Sequence, residues 1–110
     1  MAYDHELADR IREIVLGEEN LTEQRMFGGL AFLVNGNMAV AASGEGGLLV
    51  RVDPATADEW IDQDGVTPMV MRGREMRGWL RVRAGLDAEG LDEWVWRGVT
   101  YARSLPPKRP

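Results

Sequence analysis

Near the N-terminus, apolar residues recur at intervals of three and four with charged residues between them. This is the pattern of an amphipathic helix that buries one stripe of side chains. The sequence therefore predicts a helix over about residues 4–16, with Gly17 as its C-terminal stop. The predicted buried stripe consists of Leu7, Ile11, Ile14 and Val15.

Largely apolar runs follow over about 25–34 and 37–43, and the Asn-Gly pair at 35–36 separates them. Asn-Gly readily adopts the positive φ angles of a tight hairpin. A glycine-rich turn at 43–47 leads into a further apolar run at 48–52. These three runs predict a meander of three antiparallel strands.

Asp53 followed by Pro54 is a strong helix-start signal, because Asp accepts from free backbone amides and Pro has the φ angle of a first helical turn. The sequence predicts a second helix from there to about Gln63. Two more strands are predicted over 66–71 and 78–83, joined by an irregular segment.

The last helix is predicted to begin near Asp87 and to end at Leu105, before two prolines. The resulting order, α-β-β-β-α-β-β-α, predicts a two-layer α+β fold in which helices cover an antiparallel five-stranded sheet. We expect a single domain over residues 1–105 and a frayed tail over 106–110.

The composition is that of a globular domain, since the 110 residues are 45% hydrophobic and 28% charged. The absence of cysteine excludes disulfides, thiolate metal sites and thiol nucleophiles. No apolar stretch approaches the ~20 residues that span a bilayer, and the acidic N-terminus is unlike a secretory signal. We therefore expect a cytoplasmic protein.

The side chains that carry most enzyme chemistry are scarce. His5 is the only histidine, and no motif brings a hydroxyl nucleophile to it. The four aspartates between residues 53 and 64 lack the ligand spacing of a calcium loop. The segment 44–47 joins two predicted strands, which is typical of a turn and not of a phosphate loop. We expect a noncatalytic protein without a metal or cofactor.

Charge is distributed unevenly: the chain carries −5, but residues 1–64 carry −9 and residues 65–110 carry +4. The basic half includes an arginine-rich segment over residues 72–83, which also contains a tryptophan. Guanidinium groups bind phosphate or carboxylate well, and an aromatic ring among them suits contact with a nucleic-acid base or a protein partner. The simpler interpretation, which we favour, is a solvated face that neutralises the acidic half. The candidate anion- or partner-binding residues are Arg72, Arg74, Arg77, Trp79, Arg81 and Arg83.

Trp96 is a second candidate for contact with another protein. Trp60 and Trp94 fall on the apolar stripes of their predicted helices, whereas Trp96 lies about 200° around the helix from Trp94. It is either an exposed interface anchor or a boundary residue half-covered by a neighbouring strand.

Several segments in and after the predicted meander resemble the N-terminal domain of the TfoX/Sxy family. The resemblance implies a fold like that of the type III secretion chaperones, with an antiparallel five-stranded sheet, and no catalytic residues. The family includes regulators of natural competence that act with a cyclic-AMP-responsive activator at promoters. The segments are Arg25-Met26-Phe27-Gly28-Gly29, Phe32, Asn35-Gly36-Asn37-Met38 and Leu48-Leu49-Val50-Arg51-Val52-Asp53.

The competence regulators usually carry a second, C-terminal domain, whereas this sequence ends at Pro110. We therefore expect a stand-alone N-terminal domain. In its motif, Gly28 and Gly29 are expected to allow a bulge or a close backbone approach. Arg25 and Arg51 are expected either to face each other across neighbouring strands or to meet nearby carboxylates, which would leave a polar pocket at the end of the sheet.

Together these features predict a noncatalytic, cytoplasmic regulatory or protein-interaction domain. Its expected partner is another protein, such as a transcription regulator, and no membrane contact is expected. We also expect a homodimer through an exposed sheet edge or the Trp96 face. The alternative is a phosphate- or nucleic-acid-binding module that uses the arginine-rich segment 72–83, with affinity that falls steeply with salt. A third hypothesis, an enzyme that uses facing carboxylates, requires a cleft that brings two of them together.

Overall fold

One antiparallel sheet and three helices make up the described part of the chain. The computed structural model describes residues 3–26, 28–61, 65–83 and 85–108. The helices are α1 (His5–Ile14), α2 (Ala57–Ile61) and α3 (Ala88–Ser104). The strands, in the spatial order β1-β2-β3-β4-β6-β5, are β1 (Leu21–Met26), β2 (Gly29–Val34), β3 (Asn37–Ala42), β4 (Leu48–Arg51), β5 (Val66–Met71) and β6 (Arg74–Val82). None of these helices has the length and apolar character required to cross a bilayer.

The α+β class and the antiparallel sheet agree with the prediction, but the described residues form six strands instead of five. The apolar run predicted as one strand over 25–34 belongs to two strands. Gly28 lies between them with a φ of +75°, in the left-handed region that favours glycine at chain reversals. β1 was not predicted as a strand of its own because Thr22, Glu23 and Gln24 are polar and exposed, as is common at a sheet edge.

The segment 72–77, predicted to be irregular, is a tight turn followed by the start of β6. Arg72 and Gly73 make the turn with φ angles of +54° and +78°, and β6 begins directly afterwards at Arg74. The predicted strand start at Gly78 was wrong, since β6 begins four residues earlier. The first four residues of β6 are all exposed, so they lack the alternation of buried and exposed residues by which a strand is recognised in a sequence.

The second helix begins later than predicted. Asp53 accepts a hydrogen bond from the Ala55 amide at 2.9 Å, but residues 54–56 form turns and α2 begins only at Ala57. The predicted end of this helix at Gln63 lies outside the described residues.

Two adjacent interior strands are buried on both faces of the sheet, since every residue of β2 and β3 is buried. On one face, α1 and α3 contribute Ile11, Leu91 and Val95 to a main core that includes Phe32 and Val40. The other face has a second apolar cluster, which contains no helical residue. Its buried members are Ala31, Leu33, Met38, Ala41, Leu49 and Met69.

α3 lies very close to β3 at Gly98. A Cβ atom at this position would collide with the Ala39 carbonyl oxygen and the Val40 side chain. The absence of a side chain at residue 98 therefore sets the distance between the helix and the sheet.

The start of α3 is capped as predicted, because Asp87 accepts a hydrogen bond from the Gly90 amide at 2.7 Å.

The chain after α3 returns to the turn between β2 and β3. The Asn37 side-chain amide donates to the Pro106 carbonyl at 3.0 Å. The Lys108 backbone amide donates to the Asn35 carbonyl at 2.8 Å. Pro106 and Lys108 are thus hydrogen-bonded to β3 and to the turn before it, whereas residues 109–110 of the expected tail lie outside the described residues.

An ion pair connects α1 to the edge strand β1. The Arg12 guanidinium donates to both carboxylate oxygens of Glu23, at 2.6 and 2.9 Å. This hydrogen bonding lowers the pKa of Glu23 below its ordinary value. The pair fixes the first helix over a strand that has few buried side chains.

Replacing Gly98 with alanine should destabilise the protein even though alanine is the better helix former. Alanine gains about 1 kcal/mol in helix propensity, whereas overpacking against the β3 backbone costs up to about 3 kcal/mol. We expect a net loss of about 1–2 kcal/mol in the free energy of unfolding, measured by urea denaturation. Thr100→Ala, at an exposed position of α3, is the control and should stay within about 0.5 kcal/mol of wild type. A Gly98→Ala variant more stable than wild type would contradict the close contact.

Replacing Glu23 with glutamine should make stability less dependent on acid pH. A carboxylate whose pKa falls on folding stabilises the fold above its unfolded pKa, and this stabilisation is lost as pH falls through the folded pKa. Between about pH 7 and pH 3, wild type should lose more unfolding free energy than Glu23→Gln does. Urea denaturation at each pH measures the difference, with the exposed Glu59→Gln as a control that should follow wild type. Equal pH dependence in Glu23→Gln and wild type would rule out this contribution.

Candidate interaction surfaces

The arginines of the candidate anion site are divided along the hairpin of β5 and β6. Arg72, Arg74 and Arg77 are exposed near the tip of the hairpin. Arg81 and Arg83 lie toward its other end, where the Arg83 amide donates to the Gly65 carbonyl at 2.9 Å. At about 3.3 Å per strand residue, Arg74 lies roughly 23 Å from Arg81 along β6 and Arg77 lies roughly 13 Å from it. The sequence-predicted set is therefore spread along the hairpin and is not one compact cluster.

Arg81 has a structural environment of its own. Its Nη1 atom donates to the Ser43 hydroxyl at 3.1 Å and lies 3.4 Å from the Gly46 carbonyl. Its Nη2 atom lies 3.9 Å from the Glu45 carboxylate. The Arg81 guanidinium thus holds the turn between β3 and β4, which uses part of the charge that the anion-site hypothesis needs.

Trp79 faces away from the helices, as strand alternation predicts. Leu80 and Val82 belong to the main core, whereas Trp79 packs against the second apolar cluster. The ring is half-buried there, so it is less available for stacking on a base than a fully exposed tryptophan would be.

Trp96 is half-buried and packs against the main core. It lines a shallow groove of about 560 Å³ between α2 and α3, together with Trp60, Arg97 and Tyr101. The Arg97 guanidinium lies 4.2 Å from the Trp60 ring centre and 4.5 Å from that of Trp94. Of the two interpretations of Trp96, its environment agrees with the boundary residue better than with a fully exposed anchor.

The glycines of the family motif allow two turns to pack closely. A Cβ atom at Gly29 would collide with the Ala42 carbonyl oxygen, and one at Gly44 would collide with the carbonyl oxygen of Gly28. The expected close backbone approach is therefore present, between the start of β2 and the turn after β3. Phe27 of the same motif lies outside the described residues.

Arg25 and Arg51 do not lie on neighbouring strands, contrary to expectation. Arg25 is in β1 and Arg51 is in β4, with β2 and β3 between them. Even the predicted meander places the strand over 37–43 between these two residues, and the additional edge strand β1 separates them by one strand more. Arg51 instead lies beside two aromatic rings, 5.5 Å from the centre of Trp79 and 5.9 Å from that of Tyr101.

A groove on the helix-free side of the sheet was missed by sequence reasoning. We name it the methionine groove, because five of the six methionines in the sequence line it. Leu33, Leu49 and Trp79 complete its apolar surface, and its volume is about 230 Å³. The five methionines are Met26, Met38, Met69, Met71 and Met76.

Four strands bring these methionines together. Met26 ends β1 and Met38 lies in β3, whereas the β5–β6 hairpin carries the other three. A shift in the pairing register between Pro68 and Val70 marks an irregularity in that hairpin, and such bulges bend a strand. The signal in the sequence was the period-two repeat of Met69 and Met71, which places both on one face of β5.

The walls of the groove remain accessible. Met26, Met71 and Trp79 are half-buried, and Met76 is 36% exposed. Methionine side chains are flexible and polarizable, so they adapt to ligands of irregular shape. Among the described residues that line the groove, Arg51 and Lys108 are the ionisable ones, and neither is acidic.

No group of three or more His, Asp or Glu side chains among the described residues is placed to hold a metal ion. His5 is exposed at the start of α1, with its ring 4.5 Å from the ring of Tyr3.

The antiparallel sheet and its helical layer define a small α+β domain. The family model of the TfoX N-terminal domain matches residues 13–102, so the chain belongs to that family. The resemblance of the motif around Arg25 and Gly29 is thereby confirmed. Comparisons with curated proteins and with solved structures give no match.

Replacing Arg81 with alanine should cost about 1 kcal/mol in the free energy of unfolding, because the Ser43 hydroxyl and the Gly46 carbonyl lose a partner. Arg74→Ala, at the exposed hairpin tip, should leave stability within about 0.5 kcal/mol of wild type. Urea denaturation measures both values. If the two variants were equally stable, the hydrogen bonds of Arg81 would have no structural role.

Proposed function

We propose that this domain is a noncatalytic regulatory module that acts by binding another protein through the methionine groove. The observation that carries the proposal is the convergence of five methionines on one accessible groove. A face without helices, in a domain this small, would ordinarily expose polar side chains. Here it exposes an adaptable apolar surface instead.

The degree of burial within the groove supports a binding role. Leu33, Met38 and Leu49 form a buried floor, so they contribute to the fold in the unbound state. Met71, Met76 and Trp79 keep accessible surface that a partner would bury. Methionine and tryptophan are both enriched in protein interfaces.

Membership of the TfoX N-terminal domain family supports a regulatory role like that of the competence regulators. Such a role requires recognition of another protein and no chemistry at a substrate. A transcription regulator in the cytoplasm is therefore the kind of partner that we propose.

Anion or nucleic-acid binding is the second candidate, and the exposed tip of the β5–β6 hairpin favours it. Arg72, Arg74 and Arg77 are all exposed there, with Glu75 as the acidic residue between them. Binding of this kind would depend on the tip arginines and would weaken steeply with salt, since counterions are released from phosphates.

Replacing Met76 with glutamate should abolish partner binding while preserving the fold, because Met76 lies in the wall of the groove and is 36% exposed. Val70→Glu is the matched control. Val70 lies on the same hairpin and is 56% exposed, but it does not line the groove. Each protein is immobilised and incubated with cytosolic extract, half of it nuclease-treated, and the retained proteins are quantified in both halves.

A protein retained by wild type and by Val70→Glu, but reduced at least about fivefold on Met76→Glu, is the expected result. Circular dichroism and urea denaturation show whether both variants remain folded. Equal retention on all three proteins would refute the groove as the binding surface. Retention that disappears with nuclease in every sample would favour the arginine tip instead.

A further inference from the structure

We propose that the methionine groove takes an acidic segment of a partner protein, which inserts a single bulky apolar side chain between the methionines. This inference rests on the proposed function, because it specifies the chemistry of the partner at the same groove. It follows from the size of the groove, the sign of its charges and the placement of Arg51.

The volume of the groove fits one large side chain. At about 230 Å³, it exceeds the roughly 150 Å³ of an engineered protein cavity that binds benzene. It is smaller than the roughly 300 Å³ at which pockets for drug-sized ligands begin. A Phe, Leu or Met anchor of a peptide fills such a space, whereas a cofactor does not.

The charges around this apolar surface have one sign. Arg51 and Lys108 line the groove, and no acidic side chain among the described residues does. At the tip of the β5–β6 hairpin, which carries Met71 and Met76, three arginines outnumber the single acidic residue Glu75, so the tip adds net positive charge on the same element. Because the chain as a whole carries −5, this basic rim directs acidic segments to the groove and not to the rest of the surface.

Arg51 is placed to receive a carboxylate. Its guanidinium lies beside the Trp79 and Tyr101 rings, at 5.5 and 5.9 Å from their centres, so its orientation is restricted. No carboxylate among the described residues forms a salt bridge with Arg51, and its planar N–H donors match the two oxygens of an Asp or Glu side chain. Trp79 both restricts Arg51 and lines the apolar groove. The carboxylate site at Arg51 is therefore next to the space that the partner's apolar side chain would fill.

The test begins with an unbiased library of random peptides displayed on phage. Selection on the immobilised wild-type protein is followed by counter-selection on the neutral variant Met76→Gln, so that the surviving peptides depend on the groove and are not sorted by an added charge. The expected survivors carry one conserved bulky apolar residue flanked by Asp or Glu. Survivors with neutral or basic flanks would overturn the acidic class while leaving groove binding intact, and an absence of groove-dependent survivors would overturn the inference.

A charge reversal at the rim then tests the electrostatic argument on one synthetic peptide from the selection. Lys108→Glu should weaken binding of this peptide about fivefold, measured by fluorescence anisotropy, and the difference should shrink at high salt. Arg12→Glu makes the same change in net charge on the exposed side of α1, which covers the opposite face of the sheet, and a variant that circular dichroism shows to be folded should change affinity less than twofold. Equal effects of the two reversals would show that net charge, and not the rim, selects the peptide.

The proposed function can survive the failure of this inference. If an extract protein is still retained in a Met76-dependent manner while every peptide selected is neutral or basic, the groove binds proteins of another charge class. If neither extract proteins nor peptides depend on Met76, both the proposed function and the inference are wrong.

Discussion

The fold depends on the burial of β2 and β3 on both faces of a sheet that helices cover on one face only. α1 and α3 bury Phe32 and Val40 on the first face, but Leu33 and Met38 are buried on the second without a helical residue against them. The side chains of Met69, Met71 and Trp79 from the β5–β6 hairpin, together with Met26, pack in the cluster on that face. The same arrangement that completes the core therefore also creates the groove.

Backbone contacts at small residues make this arrangement compact. Gly98 brings α3 against the β3 backbone, and Gly29 brings the start of β2 against the turn that follows β3. Alanines at 31 and 41 belong to the second cluster, where small side chains leave room for longer ones from neighbouring strands. The family motif is thus a packing motif in this domain, since its glycines remove side chains where two turns meet.

Much of the fold follows from local signals, and the site does not. The Asn-Gly turn, the Asp87 cap and the alternation around Leu80 each act over a few residues, so the sequence displays them directly. β1 was missed because an edge strand needs little apolar character. The groove was missed because Met38 and Met76 come together only through the spatial order β3-β4-β6, which no local pattern contains.

Burial divides the groove into residues that serve the fold and residues that are free to serve binding. Leu33, Met38, Leu49 and Met69 have at most 9% of their surface exposed, so losing any of them removes core contacts. The exposed part of the Met76 side chain contributes little to the stability of the folded state. The fold therefore does not require a hydrophobic residue at this position. The buried floor of Leu33, Met38 and Leu49 is fixed by the fold, whereas the more exposed methionine side chains of the walls are flexible. This combination suits the binding of one apolar anchor residue from partners of varied sequence.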